Sequence, residues 1–244
     1  MLSRGYIEEV CYTKPSARAN EYPHQFAFLK DLKALPLDSR VTFFIGENGT
    51  GKSTLLEAIA IAYGFNAEGG SLNFNFATKD SSSSLHESLL LKKSWQRAKD
   101  GFFLRAESFY NVATEVERLN DISPFSPETY GGKSLHEQSH GESFLALMNH
   151  RFGGNGLYVL DEPEAALSAQ RQLSLLSRMH ELVKQDSQFL IATHSPILLS
   201  YPNATIYSMD ENGIHQQTYT ECEPYRFIKM FSEQYEQVLH YLLT

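Results

Sequence analysis

The stretch Gly46-Glu-Asn-Gly-Thr-Gly-Lys-Ser53 constrains this chain more than any other. It fits G-x-x-x-x-G-K-[ST] at every position. Before it stands Val41-Thr-Phe-Phe-Ile45, a short apolar run that predicts a buried strand. After it, Leu55, Leu56, Ile59, Ala62 and Tyr63 recur at helical spacing, which predicts a helix from about Lys52 to Tyr63. A strand, a glycine-rich turn and a helix in that order make a phosphate cradle. Glycines let backbone N–H groups turn inward, and the helix start adds about half a positive charge. Lys52 is expected to reach the β- and γ-phosphates of a nucleoside triphosphate, and the Ser53 hydroxyl to take one Mg²⁺ position. The cradle comprises Gly46, Glu47, Asn48, Gly49, Thr50 and Gly51, and continues through Lys52 and Ser53 to Thr54.

A second run, Leu157-Tyr-Val-Leu-Asp161-Glu162, delivers two carboxylates to the end of a buried strand. In open α/β sheets ligands sit at that end. Asp161 is expected to hold Mg²⁺ through water, and Glu162 to polarise the attacking water as a general base. A surface Asp-Glu-Pro turn would look the same without the phosphate loop beside it.

Strand and helix patterns alternate along the chain. Phe26 to Leu32 reads as a strand, as do Leu72 to Phe76 and Gly101 to Arg105. Residues 121–139, rich in Pro, Gly and Ser, read as loop. Phe144, Leu145, Leu147 and Met148 predict a helix ended by Gly153, Gly154 and Gly156. A helix from about Ser168 to Lys184 leads into the strand Phe189 to Ala192. Thr205–Met209 and Ile214–Tyr219 flank Glu211-Asn-Gly213 as a hairpin, and Pro224 to Leu243 is a closing helix. The expectation is an α/β fold with a mostly parallel sheet flanked by helices, plus antiparallel β elements.

Composition removes several classes. The 244 residues are 42% hydrophobic, enough for a real core and too apolar for a disordered chain. The two cysteines, Cys11 and Cys222, have no metal or disulfide spacing and suit a reducing compartment. The first ten residues lack the apolar core of a signal peptide, and no run approaches a membrane span. These features lead us to expect a cytoplasmic protein that does not insert into a membrane. The formal charge of -8 makes a chain-wide attraction to nucleic acid improbable on electrostatic grounds. One local basic cluster with an aromatic remains, Lys92, Lys93, Trp95, Arg97, Lys99 and Arg105. Its common meaning is a solvated helix face, with nucleic-acid contact as the alternative.

With these motifs in place, the chain resembles the ABC-type P-loop ATPases. Ser139-His-Gly141-Glu142, 22 residues before Asp161, is similar to that family's signature. Ala192-Thr-His194-Ser-Pro196, after a buried strand, is similar to its switch histidine segment. Ser139 and Glu142 also form a capping box at a helix start, and both readings can hold together. The resemblance implies ATP and Mg²⁺ as ligands, with Glu162, His194 and Lys52 in the catalytic set. It implies a homodimer paired head to tail, in which Ser139, Gly141 and Glu142 face the partner's γ-phosphate. Glu142 and the Thr-His-Ser-Pro run look like the SMC/RecF/OLD-like branch of DNA repair and defence, in particular its small bacterial ATPases without coiled coils. The alternative is a transporter nucleotide-binding subunit. The glutamine expected after a middle strand is absent, with Arg105 or Glu107 in its place, and Tyr22 is a candidate to stack on adenine. The implied lobes are 1–80 with 150–244 for nucleotide binding and 81–149 for a smaller helical lobe carrying the signature. Only about twenty residues follow the last hairpin, so any effector is expected to be a separate protein.

Overall fold

A computed structural model describes residues 5–13, 22–72, 83–105 and 140–244. In chain order these hold β1 (Ile7–Tyr12), a 3-10 turn (Ala27–Lys30), β2 (Leu35–Pro36), β3 (Val41–Ile45), α1 (Lys52–Tyr63) and β4 (Gly70–Ser71). A 3-10 turn (Ser84–Ser88), β5 (Leu89–Lys93), β6 (Asp100–Arg105), α2 (His140–His150) and β7 (Gly156–Asp161) follow. The rest comprises a 3-10 turn (Pro163–Ala166), α3 (Ala169–Lys184), β8 (Gln188–Ala192), α4 (Pro196–Leu199), β9 (Thr205–Asp210), β10 (Gly213–Gln217), a 3-10 turn (Tyr219–Glu221) and α5 (Glu223–Leu243).

The large sheet has the order β10-β9-β3-β8-β7-β6-β4. Its five central strands run parallel, and β10 and β4 close the two ends antiparallel. Strands β3, β7 and β8 are buried at every residue, as continuous apolar runs in a sheet covered on both faces should be. Side chains alternate between two cores with period 2. Phe43, Leu160 and Phe189 join Phe144, Leu147, Leu175 and Met179 of α2 and α3 on one face. Phe44, Val159 and Leu190 meet Leu55, Leu56 and Ile59 of α1 on the other.

A second, antiparallel sheet, β2-β1-β5, covers the α1 side. A single buried amide stitches it to the first. Gln188 Oε1 accepts from the N–H groups of Tyr6 (2.7 Å) and Ile7 (3.0 Å), and Nε2 donates to the Ile7 carbonyl (2.9 Å). Gln188→Ala orphans three backbone groups in a dry interior, each costing about 1–3 kcal/mol. Urea unfolding should show a loss of about 3 kcal/mol or more.

The predicted elements at 41–45, 52–63, 101–105, 157–160, 168–184 and 189–192, the hairpin and the closing helix match the observed ones within a residue or two. Three expectations differ. Phe26 to Leu32 is not a strand; Ala27–Lys30 is a 3-10 turn whose Phe28 and Leu29, with Leu32, face the core. Phe28, Leu29 and Leu32 stand at spacings of one and four, which suit a helical turn. The basic cluster is not a helix face. Lys92 and Lys93 lie on β5, Arg105 ends β6, and the intervening 94–99 are irregular. Strands β5 and β6 also fall within 81–149, yet they pair with β1 and β7 in the two sheets. The predicted strand beyond Leu72 and the loop at 121–139 lie outside the described residues.

Candidate functional site: the carboxyl ends of four parallel strands

Because β3, β8, β7 and β6 are parallel neighbours, their carboxyl ends share one edge. Registry aligns Phe44, Ala192, Asp161 and Arg105 in a row across them. The phosphate loop therefore leaves β3, His194 leaves β8, Glu162 leaves β7, and Arg105 closes β6. β8 lies between the two strands that carry the phosphate loop and the paired carboxylates, so the histidine emerges between those groups.

The loop needs glycine at specific places. Gly46 has φ +148 and a side chain there would strike the Met209 carbonyl; Gly51 has φ +94 and faces the Phe26 and Phe28 rings. No other residue reaches these conformations without strain or overlap. Lys52 begins α1 with its ammonium folded back, donating to the carbonyls of Gly46 (2.8 Å) and Glu47 (3.1 Å). Burial pushes its pKa down, opposed by the charges of Glu162, Asp161 and Glu164. The Thr50 hydroxyl donates to the Glu47 carbonyl at 2.9 Å.

Ser53 Oγ donates to Asp161 Oδ1 at 2.9 Å, joining the start of α1 to the end of β7. Burial raises the Asp161 pKa to about 6; Glu162 adds to the rise, while the Ser53 hydrogen bond, Arg105 and Lys52 oppose it. A carboxyl with a folded pKa above its unfolded value destabilises the fold once it ionises. The penalty is absent below the unfolded pKa of about 4, grows as pH rises towards 6, and is complete above it. Asp161→Asn, which can still accept from Ser53, should thus raise unfolding free energy by about 2–3 kcal/mol near pH 7.5 without nucleotide. The gain should shrink towards pH 5, and denaturant titration at the two pH values measures it.

Glu162 occupies the left-handed region, φ 48 and ψ 52, and its N–H donates to the Ala192 carbonyl at 2.9 Å. A non-glycine residue held there stores strain of about 1–3 kcal/mol, a cost found mainly at functional positions. His194 Nε2 lies 3.7 Å from Glu162 Oε1, and the His194 N–H donates to Glu164 Oε1 at 2.5 Å. His194 Nε2 and Glu164 Oε2 are buried atoms with no hydrogen-bond partner among the described residues. Ser195 caps α4, accepting from Ile197 and Leu198 and donating to Gln172.

Arg105 pairs with Glu57 of α1 at 2.9 Å, which places a guanidinium beside Asp161 where a glutamine was expected. Glu107 and Ser139 lie outside the described residues. Gly141 packs so closely on the Ala166 carbonyl and Arg171 that no side chain fits, and Glu142 pairs with Arg171 at 3.2 Å. The start of α2 thus packs against the end of the turn that follows Glu162 and pairs with the first turn of α3. Tyr22 lies over the start of α1, its hydroxyl 3.5 Å from Thr54 Oγ1 and its ring 62% exposed.

A cleft of about 810 Å³ opens over the loop, lined by Phe26, Gly46 to Thr50, His194, the Asp210–Asn212 hairpin turn and Glu223. Its size suits a nucleotide. The hairpin turn and Glu223 were not legible as site residues, since nothing in their local pattern says which strand they adjoin. Glu164 had a signal, standing two residues after Glu162.

The residues present fit a Mg²⁺-nucleotide. A hydroxyl and a carboxylate are hard oxygen ligands, and Mg²⁺ commonly takes one or two such protein groups and completes its shell with phosphates and water. Among the described residues no group of three or more His, Cys, Asp or Glu could hold a metal by itself.

Residues 24–121 match the family model described as an AAA domain. The fold is similar to that of cbiO1 from Clostridium perfringens, part of the ABC transporter complex cbiONQ. That match has TM-score 0.52 and 17% identity and covers 98% of this chain and 100% of the other. The SMC head domain from Thermotoga maritima matches with TM-score 0.44 and 15% identity, over 87% and 98% of the two chains. Among curated sequences, ABC transporter G family member STR2 of Medicago truncatula is 27% identical over 184 residues. That match takes in 69% of this chain, which spans a quarter of the relative's length. The fold is that of ABC-type P-loop ATPase domains. Among the described residues no helix is long and apolar enough to cross a membrane.

Proposed function

We propose that this chain binds and hydrolyses Mg-ATP and uses the cycle of an ATP-dependent, head-to-tail homodimer to drive or gate a separate protein. The observation that carries the reading is the cluster at the strand ends: Lys52, Ser53, Asp161, Glu162 and His194 on adjoining elements, with the His194 Nε2 unpartnered among the described residues and 3.7 Å from Glu162. The loop amides and Lys52 bind the β- and γ-phosphates, Lys52 exchanging two carbonyls for phosphate oxygens. Glu162 orients a water towards the γ-phosphorus and accepts its proton. His194, with Nε2 protonated, donates to a γ-phosphate oxygen and stabilises the charge that builds there. Mg²⁺, held by Ser53 and Asp161, supplies further neutralisation of the phosphate oxygens.

Gly141, Glu142 and Ser139 serve the partner's nucleotide in this reading. The packing of α2 against the end of the 163–166 turn supports it, because a shift at Glu162 is passed directly to the signature. ATP presents γ-oxygens that two helix starts bind at once, and ADP does not. In sedimentation velocity, Glu162→Gln should gain association with ATP and none with ADP. Ser139→Arg should abolish the gain while nucleotide still binds. Identical profiles under all conditions would leave a P-loop ATPase and remove the sandwich dimer.

The partner and process follow the resemblance to DNA repair and defence ATPases. The likeness to cbiO1 supports a second reading, a nucleotide-binding subunit of an ABC transporter. Purification of the ATP-trapped variant from a native membrane extract separates them, since only the transporter subunit carries a membrane protein with it. Nucleic-acid contact has weak support: Arg105 is paired with Glu57, and the remaining basic residues lie beside an exposed Trp95 in a chain of charge -8.

A further inference from the structure

Helix α1 buries Leu55, Leu56, Ala58, Ile59 and Ala60, and among them it also buries a carboxylate, Glu57. Both oxygens of that carboxylate are engaged. Oε1 accepts from the Ser83 N–H at 3.0 Å, and Oε2 meets Arg105 Nη1 at 2.9 Å. The Glu57 side chain is 7% exposed and that of Arg105 24%. A buried ion pair seldom adds more stability than apolar side chains of its size would, so its place in this core calls for another reason.

Placement supplies one. Ser53 and Glu57 are four residues apart on α1, which sets them one above the other on a single face of the helix. Asp161 and Arg105 stand opposite each other in the parallel pair β7–β6, so their side chains leave the same face of the sheet. Val159 and Phe103, two residues earlier on each strand, lie in the core that α1 covers, which identifies that face. Two rungs of 2.9 Å therefore join the helix to the strand ends, Ser53 to Asp161 and Glu57 to Arg105.

We propose that Glu57 and Arg105 are positioning residues for the magnesium site, a charged brace that holds Ser53 and Asp161 at the spacing one ion can bridge. The inference rests on the Mg-ATP reading above. Ser53 and Asp161 cannot keep that spacing by their own bond, because both oxygens turn to the ion when it enters. The second rung lies one helical turn further from the loop and stays closed. Apolar packing presses α1 onto the sheet but is non-directional, whereas a charged hydrogen bond fixes which residues stand opposite. Mg²⁺ demands near-ideal octahedral geometry and tolerates little misplacement of its ligands. Removing the groups that orient a metal's ligands commonly costs about 10–100-fold in metal affinity.

ATP affinity of the full chain, measured by calorimetry in a Glu162→Gln parent over a range of free Mg²⁺ and in EDTA, tests this. Glu57→Gln keeps an acceptor for Ser83 and sets an amide N–H against the guanidinium, which opens the brace. Adding Arg105→Met leaves no unpaired charge and no arginine free to compete for Asp161. Both variants should melt near the parent and match its ATP affinity in EDTA. Each should need at least about 10-fold more Mg²⁺ for half of the metal-dependent gain in affinity. Arg105→Lys should stay close to the parent, because one close approach of nitrogen to oxygen joins the pair and an ammonium can supply it. An unchanged Mg²⁺ requirement in either variant, or a lysine variant that behaves like the methionine one, would overturn the proposal. Equal losses with and without Mg²⁺ would do the same, since they would make the pair a prop of the fold alone. A parent whose ATP affinity ignores Mg²⁺ would overturn the Mg-ATP reading itself, and this inference with it.

Discussion

Glu162→Gln should bind Mg-ATP with wild-type affinity and hydrolyse it at least ~100-fold more slowly, the lower end of what a general base contributes. That corresponds to about 2.7 kcal/mol of transition-state stabilisation. The amide keeps the shape of the carboxylate and cannot take a proton from water. It also keeps the backbone position, in which the Glu162 N–H donates to the Ala192 carbonyl. Binding should survive because the loop, Lys52 and the Ser53–Asp161 pair are untouched. A phosphate-release assay with a parallel nucleotide titration measures both quantities. Turnover at half the normal rate would mean that the base lies elsewhere, and Glu164, whose Oε2 is buried and unpartnered among the described residues, would be the next carboxylate to replace.

Lys52→Ala should lower ATP affinity at least ~100-fold, beyond ordinary calorimetric detection. The ammonium is delivered to the inside of the loop, and its carbonyl partners Gly46 and Glu47 stand where the phosphates would compete for it. Without it the repulsion between phosphate oxygens persists and the amides alone must offset it. Lys52 is buried, so the variant also changes the apo protein. The lysine is held with a lowered pKa, which means burial costs it more than its carboxylate neighbours return. Its loss should therefore leave thermal stability near the wild-type value. Calorimetric titration gives the first quantity and thermal melting the second. Near-normal affinity in a folded variant would remove Lys52 from the phosphate site.

The contrast between Phe26–Leu32 and Val41–Ile45 shows where local pattern is sufficient. The second run is apolar but for Thr42, is buried at every residue and stops at glycine, as a fully covered strand of a parallel sheet does. The first mixes aromatic and polar residues, and its turn geometry depends on docking Phe28 and Leu29 beneath the phosphate loop. Lys92 and Lys93 misled for a related reason: β5 is an edge strand with exposed residues, so charge in it resembles a solvated helix.

Local pattern alone marks the glycine-rich loop, the paired carboxylates, the histidine that follows β8 and the alternation of strands and helices. Each is written in contiguous residues whose spacing reflects local backbone geometry. Only the tertiary structure decided that β8 lies between β3 and β7, which brings His194 out within 3.7 Å of Glu162. It alone put Arg105 in register with Asp161, fastened Glu142 to Arg171, and raised the hairpin turn beside the loop. It alone left every residue of α5 at least partly exposed. Strand order and lateral packing join residues a hundred or more positions apart through contacts that leave no mark on either local pattern. The free energy of such contacts belongs to the pair, and a single stretch of sequence carries only one half of it.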